Sequence, residues 1–240
     1  ARAAEILGRG SEYYAMHIKK MDLYELCRSS NGWALGAAVA TRGGGHVTAS
    51  PCYEQLAAPP DDTACRQEFG MSGIEAWDPH DYEKRHILVG YNEIIARLCN
   101  STGICLNHST WGDPTLINVT DFSELISAAT GEEFTPEELR EIANRQLNME
   151  KAINTKFTNL NKSDDYPPDR ELEEPVSRGI YKGWKLDRDQ WTAMLERYYP
   201  MHVGSGNQLP HTKGPARFGS GYRSRRIGAT GTPRNSTSLM

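Results

Sequence analysis

The feature that most limits what this chain can fold into is a pair of apolar stripes at three- and four-residue spacing. Ile87, Leu88, Tyr91, Ile94, Ile95 and Leu98 make the first, and Leu139, Ile142, Ala143, Leu147 and Ile153 the second. Such spacing gathers apolar side chains on one face of an α-helix but scatters them over both faces of a strand. Two long helices are therefore predicted, each packed along one side. Gly103 breaks the first. Thr135 can cap the second, Pro136 suits its first turn, and Glu138 completes a capping box. A shorter helix fits Phe122 to Ala129, with Gly131 as its C-cap. Another carries Trp191, Met194, Leu195 and Tyr198, with Asp187 and Gln190 as a start signal and Pro200 as a stop. The small, apolar stretch from Trp33 to Thr41 suits a tightly buried helix ended by Gly43-Gly44-Gly45. Alternation from Tyr13 to Leu23 reads as a strand. The stretch from Ser50 to Asp81 reads as a loop with short turns, and Asp164 to Gly183 as an extended connector. The expected fold class is mainly α with few short strands, and no internal repeat is present.

With 38% hydrophobic residues among 240, the chain has enough apolar material for a real core. The formal net charge of −4 argues against general nucleic-acid binding. Residues 211–240 are locally basic, with Lys213, Arg217, Arg223, Arg225, Arg226 and Arg234 and no acid, the composition of a flexible or docking tail. No run approaches the ~20 apolar residues of a membrane span, and the first residues hold no apolar signal segment. The five cysteines, Cys27, Cys52, Cys65, Cys99 and Cys105, are irregularly spaced and include no CxxC pair. Neither a disulfide framework nor a self-contained zinc or iron–sulfur site is expected, and a reducing cytoplasm is the natural setting. The sequons at Asn100, Asn107, Asn118 and Asn235 are then chance matches.

Two places exceed ordinary scaffold. Arg42-Gly43-Gly44-Gly45-His46 joins a permanently charged fork, bare backbone amides and a side chain that exchanges protons near neutrality. That combination suits an anionic ligand or a reaction needing proton delivery, yet a glycine-rich turn with a surface Arg and a structural His fits equally well. It is neither a Walker loop nor a dinucleotide fingerprint. Cys99-Asn100-Ser101-Thr102-Gly103-Ile104-Cys105 ends an apolar helix, where a thiolate could bind a soft metal or cluster or a cysteine could be buried and inert. His80, His86 and His108 have no partner at metal-ligand spacing. Glu137, Glu138, Arg140 and Glu141 read as a solvated helix face.

The order of several short patterns carries more than any one of them. Residues 17–23, His-Ile-Lys-Lys-Met-Asp-Leu, are similar to the stretch V-K-G-x-E-L of the aldehyde ferredoxin oxidoreductase family. Residues 34–46, ending Thr-Arg-Gly-Gly-Gly-His, resemble that family's G-L-x-Y-A-T-x-x-R-G-x-x-H, and Asn100 to Cys105 its D-x-x-G-L-C. Ala128-Ala129-Thr130-Gly131 with Thr135 to Leu139 resembles A-x-T-G…T-x-E-E-L. Arg145 to Asn154 resembles R-x-x-N-L-E-R-x-F-N, and Leu195 to Tyr199 resembles L-x-x-Y-Y. The matches cover roughly residues 12–215, the C-terminal helical region of that family.

The resemblance implies a tungsten-bis(molybdopterin) enzyme with a 4Fe–4S cluster, oxidising aldehydes and passing electrons to ferredoxin or an iron–sulfur electron-transfer subunit. By position, Cys105 would ligate the cluster, and Asn100, Ser101, Thr102 and Gly103 would lie against the pterin. Arg42 and Gly43 to Gly45 would approach the cofactor, and His46 would handle protons near tungsten and substrate. The family's other three cluster cysteines and its pterin-binding β domain would have to come from an N-terminal half or a companion subunit. The family's Asp is Asn100 here, a basic residue often found two places after the His is Thr48, and the stretch from His46 to Cys105 is long. These departures admit the tungsten subunit of a class II benzoyl-CoA reductase, acting on an aryl-CoA, as a second branch. A cofactor-free helical interaction module is the alternative from another class. The implied organisation is a cofactor-facing helical domain over 1–115, a helical C-terminal domain over 116–210 and the tail over 211–240.

Overall fold

The computed structural model describes residues 1–23 and 27–202; the basic segment 211–240 lies outside the described residues. In chain order the elements are α1 (Arg2–Leu7), β1 (His17–Ile18), β2 (Met21–Asp22), α2 (Asn31–Val39), α3 (Asp62–Phe69) and α4 (Gly73–Trp77). Then come α5 (Arg85–Thr102), α6 (Val119–Thr130), α7 (Pro136–Thr158), α8 (Asp169–Glu173) and α9 (Arg188–Tyr198). The fold is mainly α, as the stripes predict.

The two long helices start and stop where their signals lie. Gly103 ends α5 in the left-handed region at φ 79°, and Gly131 does the same for α6 at φ 74°. At the head of α7 the Thr135 side chain accepts from Glu138 N while Glu138 reaches back to Thr135 N. One member of the second stripe is misplaced by the sequence reading. Ile153 is 48% exposed, and the buried row on α7 is Leu139, Ala143, Leu147 and Lys151. A strict four-residue step carries this row to a lysine, which is tolerated there because its ammonium finds the Tyr198 hydroxyl at 2.6 Å.

Three further expectations are corrected. The Tyr13–Leu23 strand is instead a two-residue antiparallel hairpin, pairing Ile18 with Met21. Its turn holds Lys19 and Lys20 at φ 54° and 63°, a conformation lysine rarely adopts. Lys19 is held there because its ammonium is buried, 2.5 Å from Asp165 and bonded to the Ala38 and Ala40 carbonyls at the C-terminus of α2. The Ser50–Asp81 loop contains α3 and α4. Asp61 caps α3 through Ala64 N, and Ser72 with Glu75 forms a capping box on α4; short helices this polar leave little periodicity to read. The Asp164–Gly183 connector contains α8, and Asp165 and Glu171 within it are buried.

Two apolar cores flank α5. In one, α2 packs with Ile18, Leu23, Val89 and the α9 residues Trp191, Met194, Leu195 and Tyr198. In the other, Leu88, Tyr91, Ile95 and Leu98 of α5 meet Phe69, Phe122, Leu139 and Ala143. All nine residues of α2 are buried, so water cannot satisfy its N-terminal amides. The Glu54 carboxylate does so instead, accepting from Gly32 N at 2.9 Å and Trp33 N at 2.8 Å while pairing with fully buried Arg85 at 3.1 Å.

Candidate functional site

The turn that carries Arg42 and His46 grows from the C-terminus of α2. Gly43 N donates to Ala40 O at 2.9 Å and Gly44 N to Ala37 O at 3.1 Å, closing the helix end with φ values of 79° and 62°. A Cβ on Gly43 would lie 2.7 Å from Ile18 O, and one on Gly44 2.5 Å from Asp22 O. The close approach these glycines permit is to the chain's own hairpin. Their amides are already engaged, which corrects the expectation that they stand bare for a ligand. Arg42 is exposed, and its guanidinium lies over Gly45.

His46 is half-buried and stacks on Trp33, with ring centroids 4.8 Å apart and planes 19° from parallel. The Trp111 ring lies 6.4 Å away on a plane tilted by 24°. Trp111 is fixed by its indole N–H, which donates to Ser50 O at 2.7 Å, and Ser50 Oγ donates to Trp33 O at 2.8 Å. The 46–50 turn crosses α2 so closely that a Cβ on Gly36 would meet Ser50 N at 2.4 Å. Only glycine allows that crossing.

The second stretch is the C-terminal end of α5. Asn100, Ser101, Thr102 and Gly103 are all exposed. Thr102 Oγ1 turns back to Leu98 O at 2.8 Å, and Ser101 Oγ accepts from Gln146 of α7 at 2.8 Å. Last-turn carbonyls at such an end attract N–H donors. Cys105 follows, and it is the exposed one of the five cysteines. Burial pushes the Cys65 thiol up to about 11 and raises those of Cys52 and Cys99, so these stay protonated and poor as metal ligands. Cys27 is buried in the first core. The segment from Cys105 leads through a 3-10 turn, Leu106–His108, to Trp111, so the chain six residues beyond Cys105 reaches His46.

Three residues that sequence reasoning missed tie this region together. Arg97 of α5 donates to Thr48 O at 2.7 Å and to Glu150 Oε2 at 2.8 Å. The same Glu150 oxygen accepts from Thr41 Oγ1 at 2.6 Å, and Asn154 donates to Thr41 O at 2.5 Å. Glu150 and Asn154 lie in the Arg145–Asn154 motif, where the signal was visible as resemblance but carried no chemistry of its own. Below them lies a buried charged layer. Tyr198 OH donates to Glu93 Oε1 at 2.7 Å, and His202 Nε2 stands 3.0 Å from Glu93 Oε2. Burial alone would raise the Glu93 carboxyl, but His202, Lys151 and Arg97 together hold it down at about 2.

Among the described residues, no three His, Cys, Asp or Glu side chains converge as a metal ion requires. What this chain offers a cluster is one exposed thiol, Cys105, which fits a shared ligand set and does not close one. No described helix is long and apolar enough to cross a membrane.

Comparison with known proteins gives a consistent result. Residues 1–203 match the family described as aldehyde ferredoxin oxidoreductase, domains 2 and 3. The tungsten-containing aldehyde ferredoxin oxidoreductase of Pyrococcus furiosus is 31% identical over 196 residues, covering 80% of this chain and 28% of the relative. That of Thermococcus kodakarensis is 30% identical over 204 residues, covering 83% and 29%. The chain thus spans less than a third of the length of the curated relatives it matches.

Proposed function

The chain belongs to the aldehyde ferredoxin oxidoreductase family, and from that premise we propose that it is the C-terminal helical part of a tungsten-bis(molybdopterin), 4Fe–4S oxidoreductase acting on aldehydes. In this reading an aldehyde and water become a carboxylate, three protons and two electrons, with ferredoxin as the electron acceptor; the cluster, held in part by Cys105, would supply the electron relay. The family match over residues 1–203 carries the reading. What supports it in the geometry is an exposed thiol just past an open helix end and, on another turn, a histidine held against two indoles.

The bound tungsten–pterin group would supply the two-electron oxidation. This chain's residues then divide the remaining work. Cys105 Sγ gives one thiolate to the cluster. Asn100, Ser101, Thr102 and Gly103 present side-chain and last-turn carbonyl acceptors to the pterin's N–H groups. Arg42 meets its phosphates with a forked cation. An imidazole nitrogen of His46 takes and returns protons, and Trp33 and Trp111 keep water from its faces. Gly43 and Gly44 shape the turn without touching the cofactor.

Metal analysis of the full-length protein, purified without oxygen, tests the reading. Tungsten with about four irons per polypeptide is expected, together with turnover of a simple aldehyde. Metal-free protein that keeps its partners would overturn it in favour of a helical interaction module. Turnover of an aryl-CoA thioester in place of aldehyde would move the substrate to the benzoyl-CoA branch.

A further inference from the structure

We propose that Arg97, Glu150 and Asn154 are positioning residues for the turn that carries His46, closing it at both ends through one hydrogen-bonded circuit. The inference rests on the reading that this turn handles protons at the cofactor. Thr41 opens the turn and Thr48 lies just past His46. Both are tied, directly or through Arg97, to the same carboxylate oxygen, Glu150 Oε2. Asn154, one helical turn further along α7, holds the Thr41 carbonyl.

The residue types suit this task. Arg97 is 3% exposed, and its two terminal nitrogens point to different partners, which a lysine's single ammonium cannot reproduce. Glu150 has a side chain 44% exposed, so screening makes its ion pair a weak stabiliser of the fold. Its two bonds matter for direction: they fix where the turn begins and ends relative to α5 and α7. Between those ends lie two left-handed glycines and an exposed Arg42, a segment that needs outside support to stay in one shape. Displacement of a reacting group by about 1 Å can cost on the order of a hundredfold in rate.

The experiment uses the full-length protein carrying its cofactors, with propanal as substrate and a viologen dye as acceptor. Glu150→Ala is expected to lower kcat at least tenfold with KM within twofold of the parent. It should also raise amide hydrogen exchange across residues 41–48 by a similar factor. Glu150→Gln should recover kcat to within threefold, because its amide oxygen accepts the same two hydrogen bonds. Both variants should melt within a few degrees of the parent. Unchanged kcat and exchange in Glu150→Ala would overturn the proposal, and so would a Glu150→Gln variant as slow as Glu150→Ala. Full activity in His46→Gln, with exchange in 41–48 still responding to Glu150→Ala, would instead sink the proton-handling reading and leave the bracket standing.

Discussion

The Thr41–Thr48 turn and the Asn100–Cys105 turn both follow a helix C-terminus with a left-handed glycine, yet the structure treats them in opposite ways. The first is held from four directions: the hairpin against Gly43 and Gly44, α2 beneath, Arg97 from α5, and Glu150 with Asn154 from α7. The second is exposed from Asn100 through Gly103, and on α7 it meets Gln146, which donates to Ser101 Oγ. The difference teaches which geometry this chain sets by itself. In the proposed reading, the group that would move protons at a fixed point is braced internally, and the surface that would receive the cofactor is left open, its final shape depending on what it binds.

The contrast breaks most visibly at the cysteines. Cys105→Ala in the full-length protein should remove most cluster iron and all turnover, with any fall in Tm coming only from the lost cluster, since an exposed side chain itself contributes little to stability. Cys99→Ala should do the reverse, keeping iron while losing stability, because its thiol lies in the second core. Iron content beside a melting curve decides it; equal iron in the two variants would remove Cys105 from the ligand set.

The glycines give a second test. An alanine at Gly103 meets open space at φ 79°, so Gly103→Ala should cost about 1 kcal/mol, the left-handed penalty alone. Gly44→Ala carries the same penalty and also drives a methyl into Asp22 O, for a total of about 2–4 kcal/mol. Denaturant midpoints of the two variants measure the gap, and equal midpoints would refute the account of the crowded turn.

Acid should loosen the braced side first. Glu93 has a folded pKa of about 2, below the usual carboxylate value of about 4.3. A depressed acid stabilises the fold above its unfolded pKa, and that contribution fades as pH falls through the folded value. Tm should therefore drop by several degrees as pH falls from 5 to 2, and Glu93→Gln should flatten that slope. The smallest effect expected is on the open side. Asn100→Asp adds a negative charge near a helix C-terminus and should cost no more than ~0.5 kcal/mol, measured by chemical denaturation.

Much of this was legible in residue order. The capping box at Thr135, the C-cap glycines 103 and 131 and the α5 stripe all express local rules, and the structure follows them. Ile153 was misread because the buried row advances by four residues each time and so reaches Lys151, whose burial depends on Tyr198 far along the chain. The hairpin was hidden because Lys19 and Lys20 are poor turn residues until Asp165 and the α2 carbonyls are in place. The site shows the same division. His46, Arg42 and Cys105 stand out by type and spacing, but Arg97, Glu150 and Asn154 look like ordinary helix-surface residues until α5 and α7 are packed. Gly43 and Gly44 were seen as flexible backbone for a ligand, and only the fold shows the hairpin pressed against them.

The complete burial of α2 has a consequence for motion. A helix with no wet face cannot fray into solvent turn by turn, and its first amides depend on Glu54, which is itself paired with Arg85 across a fully buried contact. Its amides should open only when the whole protein opens, on the slowest clock the molecule has. The turn bearing His46 is thus grafted onto the element least free to fluctuate, and its reference frame persists for as long as the native state does.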